Sequence, residues 1–310
     1  MENTRAKTTR NSLILLLTAT IWGMAFVSQS KGMDYMHPFT FNGVRSLIGA
    51  AGILIYILIS RKIAGDKAAK LDWKLNVKAG LLCGIFLTIA STLQQFGIKY
   101  TSVGKAGFIT TLYIIFVPMF GIFLKKKVAP VVWAAAGMAA VGMYLLCMTE
   151  SLRLGAGDVM VFLCAIAFAI QIMTVDHYAA SIDGAVVSCI QFTVCGVVCC
   201  IGALIWGQPT FGQIQEGLGA LLYAGVLSCG VGYTLQIVGQ KGLNPTVAAL
   251  IMSLESVIAT ISGWIAYKIG FLSTDQTLTL RQIAGCVIVF AAVILVQLPP
   301  EWFRFGKKNA

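Results

Sequence analysis

Apolar runs long enough to cross a bilayer recur along almost the whole chain, near residues 12–30, 39–60, 75–97, 103–124, 130–148, 157–175, 184–206, 216–239, 244–268 and 280–298. A helix rises ~1.5 Å per residue, so about 20 apolar residues cover the ~30 Å hydrocarbon layer. Runs this continuous lack the alternation of a membrane β-barrel strand. The pattern predicts an all-α membrane protein of ten transmembrane helices. Charged residues make up only 11% of the chain, against about a quarter in soluble domains. The connections between runs are short, so any function must reside in the helices themselves.

The net charge of +11 invites a nucleic-acid reading, but its distribution points elsewhere. Basic residues gather in alternate connections: Arg5, Lys7 and Arg10 before the first run, Arg61 to Lys78 after the second, Lys125 to Lys127 after the fourth, Lys241 after the eighth, and Arg304, Lys307 and Lys308 at the end. By the positive-inside rule both termini are cytoplasmic, as in a multi-pass protein of the cell membrane, the inner membrane in a bacterium. A nucleic-acid face would need a clustered basic patch with aromatic partners, which the sequence does not offer. The first run has full spanning length and no small-residue cleavage site, so it reads as a signal anchor. All nine cysteines fall in spanning runs without a C-x-x-C pair; they read as buried packing residues, with no disulfide framework or zinc site expected.

An internal repeat organises the chain. Shifted by 142 residues, TLQQFGIKYTSVGKAGFITTLYIIFVPMFG (Thr92 to Gly121) overlays TLQIVGQKGLNPTVAALIMSLESVIATISG (Thr234 to Gly263), with Thr, Leu, Gln, Gly, Lys, Ala, Ile, Leu and Gly recurring in register. The expected units are residues 1–150 and 151–310, each of five helices. Because five is odd, the second unit is inverted relative to the first. Such inverted repeats place a binding site near the midplane and permit two mirror-related states open to opposite sides.

Several segments carry a family resemblance over essentially the whole length: ATIWGMAF in the first helix, Phe41 to Arg45 in the second, ITTLYIIFVP in the fourth, and LES before a small-residue run in the ninth. On these the chain resembles the drug/metabolite transporter superfamily, EamA type. The resemblance implies a ten-helix inverted-repeat exporter of small polar metabolites, often amino acids, with a cavity lined mainly by helices other than the fifth and tenth. The sequence departs from the family at Ser256, where Pro is common, and at Lys125 to Lys127 and Ile269-Gly270, where a Gly-Glu pair is common.

Polar residues inside the spans are the candidates for the site. Glu255 lies near the middle of the ninth run, where an ionised group costs roughly 3 kcal/mol on insertion scales, so it is neutral, paired or beside a wet cavity. It is a candidate for substrate binding and proton coupling, or else a structural anchor of its helix. Tyr113 occupies the same position in the first unit. Arg45 cannot shed its charge and must meet a carboxylate, carbonyls, water or a substrate anion; a direct pair with Glu255 is one option, and a purely structural bond another. Gln94 and Gln236 recur at equivalent positions and serve either the substrate or helix packing. Trp22 shares a face with Thr18, Ala25 and Gln29 and could stack on a ligand or simply pack. Gln171, Gln191 and Tyr233 are weaker candidates. Pro118 interrupts the backbone bonding of the fourth helix and is a candidate gate.

These features favour a secondary active or facilitative exporter of small organic metabolites, amino acids foremost, working by alternating access. A multidrug or organic-cation efflux pump, and a sensor that keeps the fold without transporting, are the alternatives. No cofactor is expected, and no nucleotide-binding motif is present. An intramembrane enzyme would need clustered nucleophiles, bases or metal ligands, yet the two histidines, His37 and His177, lie near loops. The implied partners are a small-molecule substrate and membrane lipid, and a single copy suffices.

Overall fold

The computed structural model describes residues 2–65, 71–124, 129–147, 155–273 and 275–297. Lys67, Lys70, Lys125 to Lys127 and the basic C-terminal tail lie outside them.

Helix starts follow the sequence's capping residues. The helices α1 (Glu2–Gly32), α2 (Pro38–Ala64) and α3 (Trp73–Ile98) come first. His37 caps α2 ahead of a proline whose missing N–H costs nothing there, and Asp72 caps α3 by accepting from the Leu75 amide. The fourth predicted span is built from α4 (Val103–Thr111), capped by Ser102, and α5 (Tyr113–Phe123), and α6 (Pro130–Cys147) follows.

The second half begins with α7 (Ala156–Tyr178) and α8 (Gly184–Gly202), the latter capped by Asp183 and running into a π-helical turn, Ala203–Gly207. Next come α9 (Phe211–Glu216), α10 (Leu218–Leu222), a longer π-helical stretch (Tyr223–Gly232) and α11 (Tyr233–Gln240). Asn244 and Pro245 start α12 (Pro245–Met252), then α13 (Leu254–Lys268) and α14 (Leu280–Gln297). Gly242 and Gly270, with φ of 76° and 75°, turn the chain where a side chain would be strained.

Among the described residues, eight helices are long and apolar enough to cross a membrane, and Pro130–Gly142 and Leu280–Leu295 are shorter apolar helices. The helices are inside-out relative to a soluble bundle. On α2, Asn42, Arg45, Ser46 and Gly49 are buried while Ile55, Leu58 and Ile59 are more than half exposed, as suits a surface that lipid covers. The main packing contacts run α2 along α8, α3 along α7, α6 along α14 and α1 along α13. Close approach in the last pair rests on Gly23, where a Cβ would lie 2.7 Å from the Glu255 carbonyl oxygen.

The eight described cysteines form no disulfide. Cys189, Cys200 and Cys286 are partly exposed, so the expectation of uniformly buried cysteines holds only for the others described. Cys147 is not among them.

Candidate functional site

The interior of the bundle encloses a cavity of about 30 Å³, room for a couple of water molecules. Trp22, Arg45, Gln94, Tyr113, Gln236 and Glu255 all line it, although they come from six separate helical elements and two ends of the chain. Pro118, buried farther along α5, does not.

Glu255 sits in the first turn of α13, 3% exposed. Its Oε1 accepts a hydrogen bond of 3.0 Å from the Tyr113 hydroxyl, across a sequence separation of 142 residues. That is the repeat offset itself, so two equivalent positions touch. Both residues stand beside helix interruptions. The α4–α5 break falls at Leu112 and the α12–α13 break at Ser253, where i→i+3 bonds tighten the turn (Ile115 amide to Leu112 carbonyl, 2.9 Å; Ser256 amide to Ser253 carbonyl, 3.1 Å). The interruption expected at Pro118 is therefore found six residues earlier, and the helix continues through the proline.

Other cavity residues obey the same offset. Phe26 and Phe168, Gln29 and Gln171, and Gln94 and Gln236 are identical pairs; Leu87 and Cys229, and Ser91 and Tyr233, occupy equivalent positions with different chemistry. Gln94 Nε2 donates to Thr110 Oγ1 at 3.2 Å, and Gln236 Nε2 donates to Gln171 Oε1 at 3.1 Å. The Gln29 side chain was visible from sequence only as a neighbour of Trp22 on one face; its recurrence as Gln171 is the signal that marks both.

Arg45 is 5% exposed. Among the described residues the ion pairs are Lys31–Asp34 and Lys105–Asp158, so a direct Arg45–Glu255 bridge is absent. The guanidinium lies 5.4 Å from the centre of the Phe41 ring, and its Nε is buried without a hydrogen-bond partner. Gln29 Oε1 and Gln236 Oε1 are likewise buried and unpartnered. Each such group costs about 1–3 kcal/mol unless water or a ligand reaches it.

An aromatic wall closes one side. Trp22 and Tyr233 have ring centres 4.5 Å apart, and Phe192 meets Tyr233 edge-on at 5.0 Å. The π-helical stretch holds Trp22 against it: Trp22 Nε1 donates to the Ser228 carbonyl at 3.4 Å, and Thr18 Oγ1 lies 3.5 Å from the Gly232 carbonyl. Among the described residues no group of His, Cys, Asp or Glu could hold a metal ion.

Comparison with known proteins places the whole chain. An uncharacterized transporter of Archaeoglobus fulgidus is 27% identical over 92% of this chain and 84% of that protein. The uncharacterized transporter YwfM of Bacillus subtilis is 27% identical over 81% of this chain and 84% of its own. A solved crystal structure superposes with a TM-score of 0.73 over 96% of this chain and 99% of that one at 16% identity, which shows a shared fold. The sequence profile of the EamA-like transporter family matches twice, over residues 10–148 and 155–298. A multi-pass membrane protein matched in this way over nearly its full length belongs to the EamA-like transporter family.

Proposed function

We propose that the protein exports small organic metabolites, amino acids or related compounds foremost, by alternating access between two inverted five-helix units, residues 1–150 and 151–310, with both termini cytoplasmic. Transport is either facilitative or driven by an ion gradient. The observation that carries this reading is the Tyr113–Glu255 hydrogen bond. Equivalent points of a two-fold arrangement touch only near its axis, so a contact at the repeat offset supports a cavity on the axis between the units.

The packing pattern supports the same reading. Exchanging the units maps α2 against α8, and α6 against α14, onto themselves, and it maps α3 against α7 onto α1 against the α11 region. The family profile's two matches support the same division.

In this reading Arg45 takes the substrate carboxylate, and Glu255 takes its ammonium or a coupled proton. Gln94 and Gln236 supply hydrogen bonds, Trp22 stacks on the organic part, and Pro118 lets α5 flex during gating. A cavity of about 30 Å³ is too small for an organic solute, so it must widen to load one. The wall of Trp22, Tyr233 and Phe192 beside a carboxylate also favours a second reading, efflux of organic cations.

Efflux from liposomes separates these. Vesicles loaded with amino acids, nucleobases and organic cations are assayed by mass spectrometry with wild type and Glu255→Gln. Selective amino-acid efflux that falls in the variant supports the main reading; cation efflux supports the second; no efflux under pH gradients of either sign removes both.

A further inference from the structure

A second site lies on the outer surface of the bundle. It depends on how α2 meets the π-helical stretch. At Gly49 the two touch: a Cβ there would sit 2.7 Å from Cys229 Cβ and 2.9 Å from the Gly225 carbonyl oxygen. One turn along α2 the contact is gone, and a Cβ on Gly52 would meet nothing within 4 Å. The elements splay, and an apolar groove of about 440 Å³ opens between them, lined by the glycines Gly49, Gly52 and Gly230 and by Ile53, Val231 and Leu235.

The groove runs into chemistry of another kind. Tyr56, Thr234 and Val238 line both it and a cleft of about 630 Å³ at the end of the bundle where α3 and α8 begin. Arg61, Lys241, Asp72 and Asp183 all line that cleft. The Lys241 ammonium donates to the Ile182 carbonyl at 3.1 Å. Asp72 accepts from the Leu75 amide, and Asp183 accepts from the Ala185 and Val186 amides. A carboxylate has about four acceptor sites, so both retain capacity for another donor. Tyr56, Val226 and Val231 are 61%, 45% and 39% exposed along the groove, a surface suited to acyl chains in a bilayer.

We propose that this composite groove holds one phospholipid with a zwitterionic primary-amine headgroup, of the phosphatidylethanolamine class. One acyl chain lies along the glycines. The phosphate turns to Arg61 and Lys241, and the ammonium donates to Asp72 and Asp183. Among the described residues the lining carries two charges of each sign, which such a headgroup matches. A purely anionic headgroup would leave both carboxylates opposed to it, and a choline headgroup has no N–H to donate. The proposal is independent of the transport reading.

The test is native mass spectrometry of the full chain released from nanodiscs of equal parts phosphatidylethanolamine, phosphatidylglycerol and phosphatidylcholine. One phosphatidylethanolamine per protein should be retained, about fivefold over either competitor. Gly52→Leu enters the groove where an added Cβ meets nothing within 4 Å and should cut retention about tenfold. Asp72→Asn with Asp183→Asn keeps both helix caps, because Asn caps as well as Asp, and should keep a bound lipid while erasing the headgroup preference. Preferential retention of phosphatidylglycerol by wild type, or equal retention by wild type and by a Gly52→Leu protein of the same elution volume, would overturn the proposal. So would an unchanged preference in the double Asn variant.

Discussion

The part of the cavity wall before residue 150 and the part after it agree at Phe26/Phe168, Gln29/Gln171 and Gln94/Gln236, and they disagree at Tyr113/Glu255, Ser91/Tyr233 and Leu87/Cys229. The position of each kind is informative. The matched glutamines lie toward helix ends, Gln94 in the last turns of α3 and Gln236 in the last turns of α11. The unmatched residues of the lining, the belt, include Tyr113 and Glu255, which touch. On the proposed mechanism, mirror-related states ask the same work of both ends, whereas a small asymmetric molecule at the centre needs different chemistry on its two sides. Matching residues then act alike in both states, and divergent ones tell the two sides of the substrate apart.

The largest expected effect comes from the most divergent pair. Glu255→Gln keeps the shape but removes the carboxyl that would bind a substrate ammonium, a hydrogen bond between charged groups of about 1.5–3 kcal/mol, so flux into liposome medium should fall about 10- to 100-fold with folding intact. The exchange Tyr113→Glu with Glu255→Tyr rebuilds the pair on opposite sides. Recovery of wild-type flux by the exchanged protein would break the comparison, since it would make the two sides interchangeable.

Arg45→Gln comes next. It should raise the KM for carboxylate-bearing substrates about tenfold and leave carboxylate-free organic cations unchanged, because the buried guanidinium has no carboxylate partner of its own. An equal loss for both substrate kinds would make Arg45 a packing residue. Gln94→Leu and Gln236→Leu should each lower flux roughly three- to fivefold and by the same factor, as interhelical hydrogen bonds of about 0.6–1 kcal/mol would. Unequal factors would separate two positions that the comparison treats as one. The smallest effect is expected for Leu87→Cys with Cys229→Leu, which exchanges two apolar residues of the belt; thermal melting should stay within about 2–4 °C of wild type.

Much of this arrangement is legible in the sequence because it depends on register. Trp22, Arg45, Gln94, Tyr113, Gln236 and Glu255 converge on one cavity because each sits on the polar face of its helix, and helical periodicity alone reveals such faces. The equivalence of Tyr113 and Glu255 is likewise present in the 142-residue offset. Their contact is not, since an offset says which positions correspond and nothing of how the two copies are set against each other. Nor is the orientation of Arg45, because periodicity assigns a face and not a rotamer, and its guanidinium lies by Phe41 rather than on Glu255. The breaks at Leu112 and Ser253 and the π-helical stretch exchange one backbone bond pattern for another at little local cost. Neighbouring helices decide such exchanges, so no residue type in the sequence marks the breaks, and the helix runs on through Pro118.

The smallness of the central cavity has a consequence for proton relay through water. A file of waters able to relay protons across ~30 Å of hydrocarbon needs about ten members at hydrogen-bonding distance. A space of about 30 Å³ admits two or three. In this conformation the water that the central cavity can hold therefore falls well short of such a file.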